Sequence, residues 1–157
     1  MSVYLTSSPE ETEVLGERLA ATLKPGSVVA LYGGLGAGKT CFTRGLARGL
    51  AVTDAVTSPT YTIVNTYRGT LPGIGPVDIH HIDAYRLKGA DDFVNIGGDE
   101  LLAGNSVCIV EWPERIAPCL PEDTIPIVIG LKAGDRREIR IAGDVSISRD
   151  HGERERV

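Results

Sequence analysis

The stretch Gly33-Gly34-Leu35-Gly36-Ala37-Gly38-Lys39-Thr40 fits the pattern G-x-x-x-x-G-K-[ST], whose residue types suit a chain of phosphates. Glycines let the backbone turn tightly, so that successive N–H groups point into one concavity where a following helix adds its positive dipole. Lys39 then reaches the outer phosphates, and the Thr40 hydroxyl binds a magnesium ion that bridges them. The plain alternative is a glycine-rich turn that merely joins a strand to a helix. Four glycines, the Lys-Thr pair and suitable flanks favour the phosphate site.

Phosphoryl transfer also needs a carboxylate that orients the acceptor or holds the metal. Glu111 ends the apolar run Val107–Val110, and Asp83 ends the run Ile79–Ile82. Parallel strands bring their C-terminal ends to the phosphate-loop edge, so both acids are expected to face one ligand. The competing reading for each is a solvated residue at a strand end; the loop, by fixing where a ligand sits, favours the functional one.

Other residues carry weaker signals. Ser58-Pro59-Thr60-Tyr61 resembles a mobile loop whose hydroxyls sense the outer phosphate, and equally a plain proline turn. His80 and His81 are adjacent, point to opposite faces of a strand and cannot easily share an ion, which favours a structural or supporting role. Trp112 beside Glu111 could stack on a base or a partner, although a lone tryptophan is more often packing. Arg136 and Arg137 sit at a hairpin tip, where a solvated charged turn is the default.

The elements that must position these residues can be read along the chain. Ser8-Pro9-Glu10-Glu11 is a helix start with a hydroxyl cap, a proline at the first helical position and a glutamate three residues after the cap; apolar residues to Leu23 keep helical spacing, and Pro25-Gly26 ends it. Val28–Tyr32 reads as a buried strand, and the helix after the loop runs to about Leu50. Tyr61–Tyr67 alternates as a strand, Arg68–Pro76 reads as a loop because of its three glycines and two prolines, and Val77–Asp83 reads as the next strand. Asp91–Leu102 reads as short helical pieces interrupted at Gly97-Gly98, and Val107–Val110 as a buried parallel strand. Thr124–Leu131 and Glu138–Ile141 form a late hairpin around Ala133–Arg136, with Pro126 at an edge or near the strand start. The pattern predicts a three-layer α/β, P-loop NTPase-like domain over 1–147, with a mixed, mostly parallel sheet, and a frayed charged tail over 148–157.

Composition bounds the function. The chain has 157 residues, enough for one domain with a full core, and its 42% hydrophobic and 24% charged residues are near globular averages. A formal charge of −5 argues against a broad nucleic-acid-binding face, so RNA is expected to be reached through partners. No apolar run has the length of a membrane span and Met1–Leu5 lacks signal-peptide character, so the expected location is the cytoplasm. Three cysteines without a C-x-x-C pair suggest neither a disulfide framework nor a zinc site; Cys108, in an apolar run, reads as a small core residue.

Four motifs in order resemble one family. Gly33–Thr40 is similar to its G-D-L-G-A-G-K-T, Ser58–Tyr61 to S-P-T-Y, His81–Leu87 to H-x-D-x-Y-R-L and Ile109–Trp112 to I-x-E-W. The family is that of the bacterial TsaE (YjeE/YdiB) ATPases, required for making threonylcarbamoyladenosine in tRNA, and the resemblance covers Glu11 to about Ile141. It implies an ATPase that works with TsaB and TsaD, whose transferase complex ATP hydrolysis activates or resets, with tRNA reached only through that complex. Carried over by position, Lys39, Asp83 and Glu111 are catalytic, Thr40 and Glu111 hold magnesium, and Ser58–Tyr61 is a switch-like loop. ATP contacts fall to Gly33–Thr40, Cys41 and Trp112, with Ser8 and Arg136 closing the pocket. Two residues depart from the pattern: Gly34 replaces the usual aspartate, and Cys41 replaces a frequent second threonine.

The rival readings are a small-molecule kinase on the same fold and a non-catalytic nucleotide-gated module. A kinase should show an arginine-rich lid, and none is evident; a GTPase is disfavoured by the lack of an N-K-x-D motif.

Overall fold

The computed structural model describes residues 1–57 and 62–142. Both the Ser58–Tyr61 segment and the expected tail lie outside the described residues.

Hydrophobic runs bounded by turn residues set the elements in the order β1 (Ser2–Thr6), α1 (Pro9–Ala20), β2 (Val28–Tyr32), α2 (Lys39–Gly49), β3 (Val64–Leu71), β4 (Gly75–Asp83), α3 (Ala90–Asn95), α4 (Gly98–Ala103), β5 (Val107–Glu111), a 3₁₀ segment (Pro113–Cys119), β6 (Ile125–Leu131) and β7 (Arg137–Ile141). All seven strands join one sheet in the order β1-β7-β6-β2-β5-β4-β3. The four central strands are parallel; β3 on one side and β7 on the other run against them, and β1 pairs antiparallel to β7, so the mixed sheet has as many antiparallel as parallel pairs.

Alternation along the strands sorts the two faces. Val29, Leu31, Ile79, Ile109, Ile127 and Ile129 face α1 and α2, meeting Leu15, Leu19, Phe42 and Leu46. Val28, Ile82, Cys108 and Val110 face the opposite layer of α3, α4 and the 3₁₀ segment, meeting Phe93, Leu102 and Ile116. Cys108 is a core residue, and burial pushes its thiol up to about 12.

The helix start at Ser8 forms as its residue types predict: Ser8 Oγ accepts the Glu11 N–H at 3.2 Å, and the Glu11 carboxylate reaches back to the Ser7 N–H at 2.6 Å. Gly97 breaks the helical stretch after Asp91 by taking a left-handed conformation between α3 and α4.

The expected loop over Arg68–Pro76 is instead a β-hairpin. β3 and β4 pair without a break from Val64↔Ile82 to Leu71↔Gly75, and the turn is only Pro72-Gly73-Ile74. Its glycine and prolines have other reasons to be there. A Cβ on Gly69 would lie 2.5 Å from the Leu50 carbonyl, because β3 passes tightly under the end of α2, where the Thr70 N–H donates to Leu50 at 2.6 Å. Pro76 lies beyond the reach of β5, whose first pair with β4 is Ile79↔Val107, so its missing N–H leaves no gap in that ladder. Pro126 sits at the start of β6, which is an interior strand. β1, five residues without a strand signal strong enough to stand alone, completes the sheet beside β7.

Candidate functional site

The loop Gly33–Lys39 leaves the C-terminal end of β2 and turns directly into α2. Gly36 and Gly38 have φ of 73° and 113°, conformations in which a side chain would be strained. Gly33 allows a different fit: a Cβ there would lie 2.8 Å from the Ile129 carbonyl of β6. Gly34 and Leu35 are exposed at the tip, while Ala37 is buried. Gly38 caps α2 without a side-chain hydrogen bond, and no acidic residue lies in the first turn. In contrast to α1, capped by Ser8, this helix end keeps its positive pole for an anion.

Lys39 is buried, donates from Nζ to the Gly33 carbonyl at 2.6 Å and lies over the Trp112 ring, 3.6 Å from its centroid. Burial lowers its pKa, against which the negative charges of Glu111, Glu114 and Asp83 act. Trp112 takes a left-handed φ of 55° at the junction of β5 and the 3₁₀ segment, and its ring also packs on Tyr85 at 4.9 Å between centroids.

The register brings the two acids together. β4 and β5 are parallel and end in step, with Asp83 paired to Glu111. Asp83 is half-buried and accepts the Tyr85 N–H at 3.0 Å; burial raises its pKa. Glu111 is almost wholly buried and faces two side chains: His81 Nε2 lies 2.6 Å from Oε2, and Thr40 Oγ1 lies 3.4 Å from Oε1.

A hard octahedral cation with oxygens at 2.0–2.1 Å needs neighbouring donors about 3 Å apart. The Thr40 hydroxyl and the Glu111 carboxylate, at 3.4 Å, are the right donor types at nearly that spacing, so the residues fit magnesium. Among the described residues no group of three or more His, Cys, Asp or Glu could hold a metal, so Thr40 and Glu111 would need further donors such as phosphate and water. His80, on the other face of β4, meets Thr66 Oγ1 at 2.9 Å through Nδ1, which keeps the two histidines apart as their adjacency requires.

Cys41 is buried against α1, where its Sγ lies 3.0 Å from the Pro9 carbonyl oxygen; burial raises its pKa. That contact ties the Ser8 end of α1 to the first turn of α2. Arg136 is exposed and its carbonyl closes the β6–β7 turn with the Lys132 N–H at 2.9 Å. The hairpin residue that reaches the loop is its neighbour: Arg137 donates from Nε to the Ala37 carbonyl at 2.8 Å and from Nη2 toward Gly36 at 3.5 Å. The sequence placed both arginines at the tip; β7 beginning at Arg137 and pairing it with Thr6 and Leu131 is what turns one of them inward.

Comparison with known proteins identifies the family. Residues 6–139 match the model of the family described as threonylcarbamoyl adenosine biosynthesis protein TsaE. The chain is 42% identical over 138 residues to the tRNA threonylcarbamoyladenosine biosynthesis protein TsaE of Treponema pallidum, covering 88% of this chain and 98% of that one. It is 44% identical over 137 residues to the protein of the same name from Bacillus subtilis, covering 87% and 82%. The crystal structure of Bacillus subtilis YdiB superimposes with a TM-score of 0.71 at 39% identity, covering 88% of this chain and 82% of that one. With the phosphate loop, the paired acids and the sheet that presents them all in place, the chain belongs to the TsaE family of threonylcarbamoyl adenosine biosynthesis proteins.

Proposed function

We propose that this protein is a magnesium-dependent ATPase of the tRNA threonylcarbamoyladenosine pathway, hydrolysing ATP to activate or reset the TsaB–TsaD transferase complex. The observation that carries the ATPase reading is the convergence of four side chains at one sheet edge. Lys39 and Thr40 open α2, while Asp83 and Glu111 end adjacent parallel strands, with Thr40 and Glu111 3.4 Å apart. Gly33–Lys39 backbone N–H groups would cradle the phosphates, and Lys39 would leave the Gly33 carbonyl to neutralise the outer ones. Thr40 and Glu111 would hold magnesium, which supplies charge neutralisation for the phosphates when bound. Asp83, with its pKa raised by burial, is suited to accept or orient a proton of the attacking water. Cys41, Ser8 and Trp112 would line the pocket, and a switch-like role for Ser58–Tyr61 rests on the motif alone. The −5 charge supports reaching tRNA through the partners.

The test is ATP hydrolysis by the purified chain, alone and with TsaB and TsaD of the same organism, with formation of the modified adenosine followed in parallel. Partners should raise hydrolysis, and Lys39→Ala should abolish both hydrolysis and repeated rounds of modification. If partners change nothing and modification proceeds without this chain, the pathway role fails. Hydrolysis replaced by fast phosphoryl transfer to one metabolite would point to the kinase alternative.

A further inference from the structure

Glu111 has a partner that phosphate binding does not call for. His81 lies on the interior strand β4, fully buried, on the same face as Ile79 and Asp83. Its Nε2 is 2.6 Å from Glu111 Oε2, and because a carboxylate only accepts, Nε2 carries the hydrogen of that bond. Its Nδ1 is buried and has no hydrogen-bond partner among the described residues. A buried imidazole calls for a hydrogen-bond partner, and among the described residues Glu111 is the one it has. What the imidazole contributes is the bond to Glu111.

That bond distinguishes the two oxygens of the carboxylate. The terminal torsion of a glutamate is broad, and a free carboxylate exchanges its oxygens easily. With Oε2 held by His81, Oε1 is the oxygen left facing Thr40 Oγ1 at 3.4 Å. The register explains how the sequence achieves this: His81 pairs with Ile109, two residues before Glu111, so the ring reaches diagonally along the sheet to the strand end.

We propose that His81 is a positioning residue that presents Oε1 of Glu111 to a divalent cation shared with Thr40, and so sets the affinity for the cation rather than for the nucleotide. The inference rests on the reading of this edge as a magnesium-nucleotide site. Outer partners of metal ligands have this effect elsewhere by orienting the ligand.

The experiment is calorimetric titration of the full-length protein with ADP, first in EDTA and then over a series of magnesium concentrations, for the wild type, His81→Leu, His81→Asn and His81→Gln. The thermal midpoint of each variant is recorded. His81→Leu should leave ADP affinity in EDTA unchanged and raise the magnesium concentration for half-maximal tightening about tenfold or more. His81→Asn, whose amide is too short to reach where Nε2 sits, should behave like His81→Leu and replaces it if the leucine variant does not fold. His81→Gln, whose amide can reach that place, should recover most of the magnesium response. An unchanged magnesium response in His81→Leu or His81→Asn overturns the inference, as does equal loss of ADP affinity with and without magnesium, which would mark a purely structural role. Failure of His81→Gln to recover any response overturns it too. A wild type that binds no ADP, or binds it indifferently to magnesium, would instead sink the nucleotide reading beneath it.

Discussion

Asp83 is held in a setting that opposes its charge. Burial is the largest influence on it and raises its pKa; the Tyr85 N–H acts the other way, and Glu111 adds a like charge. A carboxyl whose folded pKa lies above its unfolded value binds protons more readily in the folded state. Stability is therefore greater below that range and is lost as pH rises through the folded pKa. Asp83→Asn keeps the acceptor for Tyr85 and removes the charge. The variant should melt at a higher temperature than the wild type at neutral pH, the gain fading on acidification, while ATP hydrolysis is lost. Calorimetric melting across pH checks the first part; a neutral midpoint at or below that of the wild type would show that the charge is well accommodated. Such opposition of stability and activity is common where a site holds a group the fold alone would reject.

At the scale of elements, the pair α1 and α2 depends on glycines where the helices cross. A Cβ on Gly16 would lie 2.5 Å from the Phe42 carbonyl, one on Gly49 would lie 2.6 Å from the Glu17 carbonyl, and one on Gly45 would fall on the Glu13 carbonyl. Gly45→Ala should cost about 3 kcal/mol, the upper part of the range for overpacking, because backbone rather than a movable side chain stands in the way. A denaturant midpoint close to that of the wild type would mean that α1 can withdraw. These same elements show what a sequence discloses. β2, β5, the loop and both acids were legible because continuous apolar runs and the G-x-x-x-x-G-K-T spacing are local signals. The β3–β4 hairpin was not, since Gly69, Gly75 and Pro76 are turn residues in isolation and become strand residues only beside α2 and past the end of β5. β1 and the inward turn of Arg137 were hidden for a related reason: each depends on pairing between the two ends of the chain. His81 was legible as a structural or supporting residue on one face of the strand; its bond to Glu111 needed the register of β4 on β5.

Across the whole molecule, the phosphate loop joins parts that are otherwise separate. Its glycine-rich turn rests on β6 at Ile129, its helix carries the α1 layer, and Arg137 fastens Ala37 and Gly36 to the late hairpin. A ligand seated there should stabilise the fold as one unit. ADP with magnesium at a hundred times its dissociation constant should add about 2.7 kcal/mol, which in a chain of this size is roughly 5–10 °C in the thermal midpoint. Lys39→Ala should remove the shift; thermal scans with and without nucleotide check it, and a wild-type midpoint that nucleotide leaves in place would count against the site.

The pairing of β1 with β7 also has a meaning in time. Ser2 stands opposite Ile141, so during synthesis β1 must wait for β7, made much later, before its ladder can form. Through that interval β1 is an unpaired edge, and the arginine that clasps the phosphate loop has not yet been made. The core of parallel strands can assemble earlier, but the clasp arrives only when synthesis has passed β7, so the loop is completed well after the strand and helix that carry it have been made.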